Sequence, residues 1–277
     1  MSVVDQLQPY ARKAYVRAKL PLLRLLGPRH RPHDKRVTFL SGFARSGTNM
    51  VMEVFEWSPM TEVFREGDGR INANFRLLDD SVVSQHVWRS PSKFVLVKAL
   101  QEGHRLSKLM DLFPGSGAMW MYRHYDDCVN SILVHWPGER NGIDDIVRDG
   151  PDASAWRGAN TSDETLARLR AQYRPDWNDA TCNAWFWCLR HQFFFDLHFD
   201  TNPNVKLVRY ESLVTDPLRI IRPLAHLVGV PLTRLMASVP HARSIGKRKA
   251  PDIAPEVRET CDALLARLDA VWEAEGL

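Results

Sequence analysis

Residues 41–50 read SGFARSGTNM. Gly42, four residues and then Gly47 fit the opening of the phosphate-loop pattern G-x-x-x-x-G-K-[ST]. The next two positions depart from it. Thr48 stands where that pattern has its lysine, and Asn49 where it has its magnesium-binding hydroxyl. A strand that feeds a Gly-rich turn and then a helix aims several backbone N–H groups at one point, and the helix N-terminus adds partial positive charge. The apolar run VTFLSGF at 37–43 supplies the strand, and a helical pattern over 47–57 supplies the helix. Without the lysine and the hydroxyl, a metal-bridged triphosphate fits poorly. Arg45, inside the turn, offers a planar and permanently charged donor instead. The loop suits a single phosphate with a neighbouring anionic group, held without metal.

Other elements must position this loop. Three further apolar runs read as buried strands: FVLVKAL at 94–100, GAMWMYR at 117–123 and VKLVRYE at 205–211. None alternates cleanly, as expected of parallel strands covered on both faces. Helical patterns fall at 104–113, 124–134, 181–199, 217–228 and 256–274. The alternation predicts an α/β fold, a parallel central sheet flanked by helices. Ligands of such sheets bind beyond the carboxyl ends of the strands, here 42–49, 98–103, 123–126 and 210–213. Residues 135–180 are polar and punctuated by Gly and Pro, with Trp136, Trp156 and Trp177 among them. A segment of this kind predicts a lid or binding insertion within one domain spanning 37–277.

The chain of 277 residues is 44% hydrophobic and carries a net charge of +4, a globular composition. Residues 1–36 hold nine Lys/Arg against two acids, so the body is slightly negative and the excess sits in a basic arm. That arm reads either as an amphipathic helix on an anionic membrane or as a solvated helix packed on the domain and ended by Pro21 and Pro28. No run approaches the roughly 18 apolar residues of a membrane span. Cys128, Cys182, Cys188 and Cys261 form no C-x-x-C pair and no zinc spacing with histidine, so no metal site is expected. Free buried thiols point to a cytoplasmic protein or one facing the cytoplasm, with the inner face of a membrane open to the arm.

GFARSGTNM resembles the G-x-x-R-S-G-T-[TS] loop of sulfotransferases that use 3′-phosphoadenosine 5′-phosphosulfate (PAPS). The resemblance implies a P-loop sulfotransferase-like fold, with Arg45, Ser46, Gly47, Thr48 and Asn49 around the 5′-phosphosulfate. Asn49 departs from the family's second hydroxyl residue. MYRHYDDCVNSIL resembles a second family motif and implies Arg123 and Ser131 as 3′-phosphate ligands. Two helical turns separate them by ~12 Å along the axis, so they approach from different sides. LVRYESLVTDP at 207–217 resembles the family's late strand and implies Tyr210 beside the adenine. SIGKRKAP at 244–251 resembles its C-terminal loop and implies Ser244, Lys247 and Arg248. On the residues alone, Arg123 equally suits an ion pair with Asp126 or Asp127, Tyr210 a core position, and the basic loop a solvated turn.

Transfer of a sulfuryl group to a hydroxyl needs a base at the acceptor oxygen and positive charge at the bridging oxygen. Small-molecule members of the family use a histidine just after a strand lysine. Here Lys98 is present, but the next histidine, His104, comes six residues later. Carbohydrate- and tyrosine-directed members use a glutamate beyond an Asn/His-Pro pair. Ser58–Pro59 takes that place, and Glu66 follows Pro59 by seven residues. The resemblance therefore implies Glu66 as base and Lys98 as charge stabiliser, with Glu62 and Asp68 as alternatives. His135, with Trp136, opens the lid, and contact with an acceptor is one reading of it rather than the expectation; His191 and His198, spaced by seven, read as core-edge residues of one helix face. The expected function is PAPS-dependent transfer to a carbohydrate or glycolipid hydroxyl, with no nucleic-acid partner. A magnesium-dependent P-loop kinase and a non-catalytic nucleotide binder are the alternatives.

Overall fold

The computed structural model describes residues 3–27, 30, 31, 34–242, 245, 246 and 249–276. In chain order its first half holds helix α1 (Val3–Leu26), strand β1 (Arg36–Gly42), α2 (Thr48–Glu56), β2 (Thr61–Phe64), a small hairpin β3 (Asn72–Ala73) and β4 (Arg76–Leu77), α3 (Asp80–Trp88), β5 (Phe94–Lys98), a 3-10 turn Leu100–Arg105 and α4 (Leu106–Asp111). The second half holds β6 (Gly117–Tyr122), α5 (Tyr125–His135), α6 (Ile143–Asp149), a 3-10 turn Pro151–Arg157, α7 (Asp163–Gln172), α8 (Asp179–Asp196), β7 (Val205–Arg209), α9 (Tyr210–Thr215), α10 (Pro217–Val228), α11 (Arg234–Ala237) and α12 (Pro255–Ala274).

Five strands form one sheet in the order β2-β5-β1-β6-β7, every neighbouring pair parallel. The register sets Leu40 opposite Lys98 and Gly42 opposite Met121, so the carboxyl ends of β1, β5 and β6 meet at one edge. The chain leaves central β1 toward β5 on one side and later returns to β6 on the other. The crevice of such a sheet lies at this reversal, between β1 and β6.

Side-chain alternation assigns the two faces. Phe39 meets Phe113 just beyond α4, and Trp120 meets His191 and Phe194 of α8. On the other face, Leu227 of α10 presses so closely on Gly117 that a Cβ there would lie 2.7 Å from its Cδ1. The residue types of α10 explain its limits. Asp216 caps its N-terminus by accepting from the Arg219 N–H, Pro217 takes the first position, and Gly229 ends it at φ 95°. Its buried Ile220, Ile221, Leu224 and Val228 recur at helical spacing.

Some sequence expectations shift. β2 and α3 were not expected, and the 181–199 pattern ends at Asp196, which leaves His198 exposed in a left-handed turn while His191 is buried. The helix of the arm runs through Pro21 to Leu26 rather than stopping there. Proline removes one backbone donor, a cost that a helix held by neighbouring contacts can bear. The segment expected as a lid carries α6, the second 3-10 turn and α7, whose Ile143, Ile146 and Leu169 are fully buried.

Candidate functional site

The loop after β1 is shaped by three positive φ angles. Gly42 sits at 126°, and a Cβ on it would lie 2.1 Å from the Met121 carbonyl oxygen, so only glycine lets β1 run against β6 here. Arg45 (67°) and Gly47 (89°) then turn the chain into α2. Gly47 faces the ring of Tyr210, whose Cδ2 would be 2.5 Å from an added Cβ. Ser46 is buried, and its hydroxyl donates to the Phe43 carbonyl at 2.6 Å, so this side chain ties the turn together.

A cleft of about 490 Å³ opens over this loop, with Arg45, Gly47, Thr48 and Asn49 on one wall and Arg123, Ser131 and Tyr210 on the other. Arg123 follows β6 directly. Its guanidinium lies 4.4 Å from the Tyr210 ring centroid, donates to Asp127 at 2.8 Å and reaches the Arg45 carbonyl at 3.3 Å. The ion pair with Asp127 and the placement in the cleft therefore coexist. Ser131 comes from α5, two turns on, and accepts from Arg45 Nε at 2.8 Å. Arg45 thus joins the two groups that the sequence set on separate sides.

His135 and Trp136 complete the surround of Arg45. Arg45 Nη2 lies 3.0 Å from His135 Nε2, and His135 Nδ1 lies 2.8 Å from the Ser131 carbonyl. A carbonyl only accepts, so Nδ1 carries the hydrogen and Nε2 accepts from the arginine. Trp136 stands 5.6 Å beneath the guanidinium, within cation–π range. His135 thus faces the loop arginine.

On the far side of the loop, Lys98 ends β5 almost wholly buried. Its ammonium donates to Asn49 Oδ1 at 2.9 Å and to Glu66 Oε2 at 2.5 Å. Burial pushes the Lys98 pKa down, while Glu66 acts in the opposite sense. This gives Asn49 a physical reason: an amide oxygen, longer in reach than a hydroxyl, joins the loop to Lys98. The other two acids are engaged elsewhere. Arg70 holds Glu62 at 2.7 Å and Asp68 at 2.6 Å, and Glu62 is buried in β2.

Ser244, Lys247 and Arg248 lie outside the described residues. Their neighbours border the cleft: the Gly246 N–H donates to Asp127, and the Lys249 carbonyl accepts from Asn130 on α5. Among the described residues, no group of three or more His, Cys, Asp or Glu is placed to hold a metal ion, and no helix is long and apolar enough to cross a membrane. The four cysteines are free and buried.

No family model matches the chain. No curated protein matches its sequence. Among solved structures, it is similar to a sulfotransferase domain from the curacin biosynthetic pathway, with a TM-score of 0.49 and 13% identity over 83% of this chain and 98% of that one. A sulfotransferase domain from the Synechococcus PCC 7002 olefin synthase gives a TM-score of 0.47 and 11% identity over 86% and 97%. Mouse sulfotransferase SULT7A1, solved in complex with PAP, gives 0.46 and 15% over 92% of each chain. At these values the likeness concerns the path of the chain, and function must be read from the residues of the cleft.

Proposed function

We propose that this chain transfers a sulfuryl group from PAPS to the hydroxyl of an acceptor, a carbohydrate or glycolipid, with Glu66 as general base. The observation that carries this reading is a continuity. One loop joins the Arg45–Arg123 cleft to the Lys98–Glu66 pair, through Asn49. Asn49 lines the cleft and accepts from Lys98, which in turn holds Glu66.

The residues present fit a nucleotide phosphorylated at two positions. Two guanidiniums follow adjacent strands, and a buried aromatic ring lines the same cleft. In this reading Arg45, Gly47, Thr48 and Asn49 hold the 5′ end, with Ser46 bracing the turn. Arg123 and Ser131 hold the 3′-phosphate, Tyr210 lies beside the adenine, and Ser244, Lys247 and Arg248 are assigned to the 3′ end by the motif resemblance alone. The donor supplies an activated sulfuryl group on a phosphate leaving group. The chain supplies positioning and charge: Glu66 takes the proton of the acceptor hydroxyl, and Lys98 offsets negative charge at the bridging oxygen. The free buried thiols support a reducing, cytoplasmic setting.

Thermal unfolding with 3′-phosphoadenosine 5′-phosphate in EDTA tests the donor site. Saturation at a hundredfold over Kd stabilises by about 2.7 kcal/mol, a rise of several degrees. Stabilisation by ATP–magnesium and none by this nucleotide would replace the reading with a kinase. A screen of PAPS turnover against sugars, glycolipids and phenols then identifies the acceptor class. Turnover on phenols alone would remove the carbohydrate assignment.

A further inference from the structure

The first helix docks on the domain through one stripe. Arg12 pairs with Glu53 and Glu56, Tyr15 stacks on Trp57 at 5.4 Å, and Lys19 donates to the Glu56 and Ser58 carbonyls at 2.8 and 3.0 Å. Lys19 thereby caps the C-terminal end of α2 with a buried cation. The spacing 12, 15, 19 continues as 22 and 26, so Leu22 and Leu26 belong to the same stripe. Yet Leu22 is 52% and Leu26 76% exposed, with Leu25 beside them at 78%. Over the last two turns of α1 the docking stripe thus becomes largely exposed. Arg17 and Arg24, seven apart on the opposite side, are exposed. Met60, two residues past the Ser58 that Lys19 holds, is also exposed.

We propose that this exposed end of α1 seats the protein on an anionic lipid bilayer, with Leu22, Leu25 and Leu26 in the headgroup–acyl boundary. Charge selects the occupant. Residues 1–36 hold nine Lys/Arg against two acids; Arg12, Lys19 and Lys35 are taken up by contacts with the domain, and the six that remain still outnumber the acids, a sign that is drawn to anionic lipid and repelled by a second copy of itself. Size agrees. Three leucines fall well short of the roughly 1,200 Å² that a stable protein interface buries, whereas a helix lying in a bilayer surface needs only a shallow apolar stripe with basic flanks. The contacts of Arg12, Tyr15 and Lys19 stay on the domain, so the body is held beside the membrane rather than on a free tether.

Flotation of the full chain with vesicles tests this independently of any activity. Co-flotation is expected with phosphatidylcholine–phosphatidylglycerol vesicles, reduced at high salt, and not with phosphatidylcholine alone. The triple variant Leu22→Ser, Leu25→Ser, Leu26→Ser should lose at least about tenfold in partitioning, with little change in melting temperature because each side chain is more than half exposed. Failure to float on the anionic vesicles overturns the proposal, as does equal flotation of the triple variant. A concentration-dependent dimer in size-exclusion chromatography that the triple variant dissolves would assign the stripe to self-association instead.

Discussion

Glu66→Gln is the most informative single change. Lys98 is 3% exposed and has two acceptors, Asn49 and Glu66. Removing one partner of a buried ion pair costs about 3–5 kcal/mol, because the other charge is left unpaired. Here the amide of Asn49 remains, and the Glu66 side chain is 17% exposed, so the pair is partly wet. We expect a loss of about 2–3 kcal/mol, or roughly 5–10 °C in melting temperature. Lys98→Met leaves the carboxylate at the wetter end and should cost only about 1 kcal/mol, and the double variant should cost less than the sum. The sign of the pH dependence follows from Lys98. Its folded pKa lies below the ordinary lysine value, chiefly through burial, and loss of Glu66 lowers it further. Between the folded and unfolded values the unfolded chain binds more protons, so stability rises with pH. The Glu66→Gln defect should therefore shrink from pH 7 toward pH 10. Thermal unfolding by circular dichroism at both values decides. A variant within about 0.5 kcal/mol of the parent, or a defect equal at both pH values, refutes the pairing as drawn.

Three more tests bear on the cleft and the core. Gly47→Ala forces a side chain into φ 89° and onto the Tyr210 ring, and should cost about 2 kcal/mol or more in stability; adding Tyr210→Ala should recover the clash but not the backbone strain, as a double-mutant cycle would show. Arg123→Ala should weaken the 3′,5′-bisphosphate by about tenfold or more and adenosine 5′-phosphate far less, measured by calorimetry, and equal weakening would reject Arg123 as the 3′ ligand. Burial holds His191 down at about 3 and His104 at about 4, each also lowered by Arg190. Because the unfolded chain takes up these protons first, stability should fall as pH drops below about 6.5, and denaturant titrations of His191→Gln should show a slope shallower by up to about 1.4 kcal/mol per pH unit.

Much of this was legible because it is local. The strand–turn–helix around Gly42 and Gly47 and the four long apolar strands announce themselves by residue type and period. β2 did not, since Thr61 and Glu62 of TEVF read as polar although both are buried. The glutamate is accommodated by Arg70, eight residues away and absent from any hydropathy signal. Missing β2 hid the way Glu66 reaches Lys98, because the β2–β5 pairing is what brings the loop after β2 to the end of β5. The partners of Arg45 lie 86 and 90 residues downstream, and only the β1–β6 register makes them neighbours. Asn49 looked like a flaw in a hydroxyl position, and its use became visible only once Lys98 was seen beside it. Pro21 misled in the other direction, as a local stop signal past which the helix nonetheless continues to Leu26.

The bonds around Arg45 set terms for whatever enters the cleft. Its guanidinium is already matched to the Ser131 hydroxyl, the His135 ring and the Trp136 face. Binding is then an exchange, in which an anion displaces neutral partners and gains only the difference. A monatomic ion such as chloride offers no fork of oxygens to replace two directed acceptors, whereas a phosphoryl or sulfuryl group does. An arginine bonded in this way favours oxyanions, inorganic phosphate included, over halide without any steric gate.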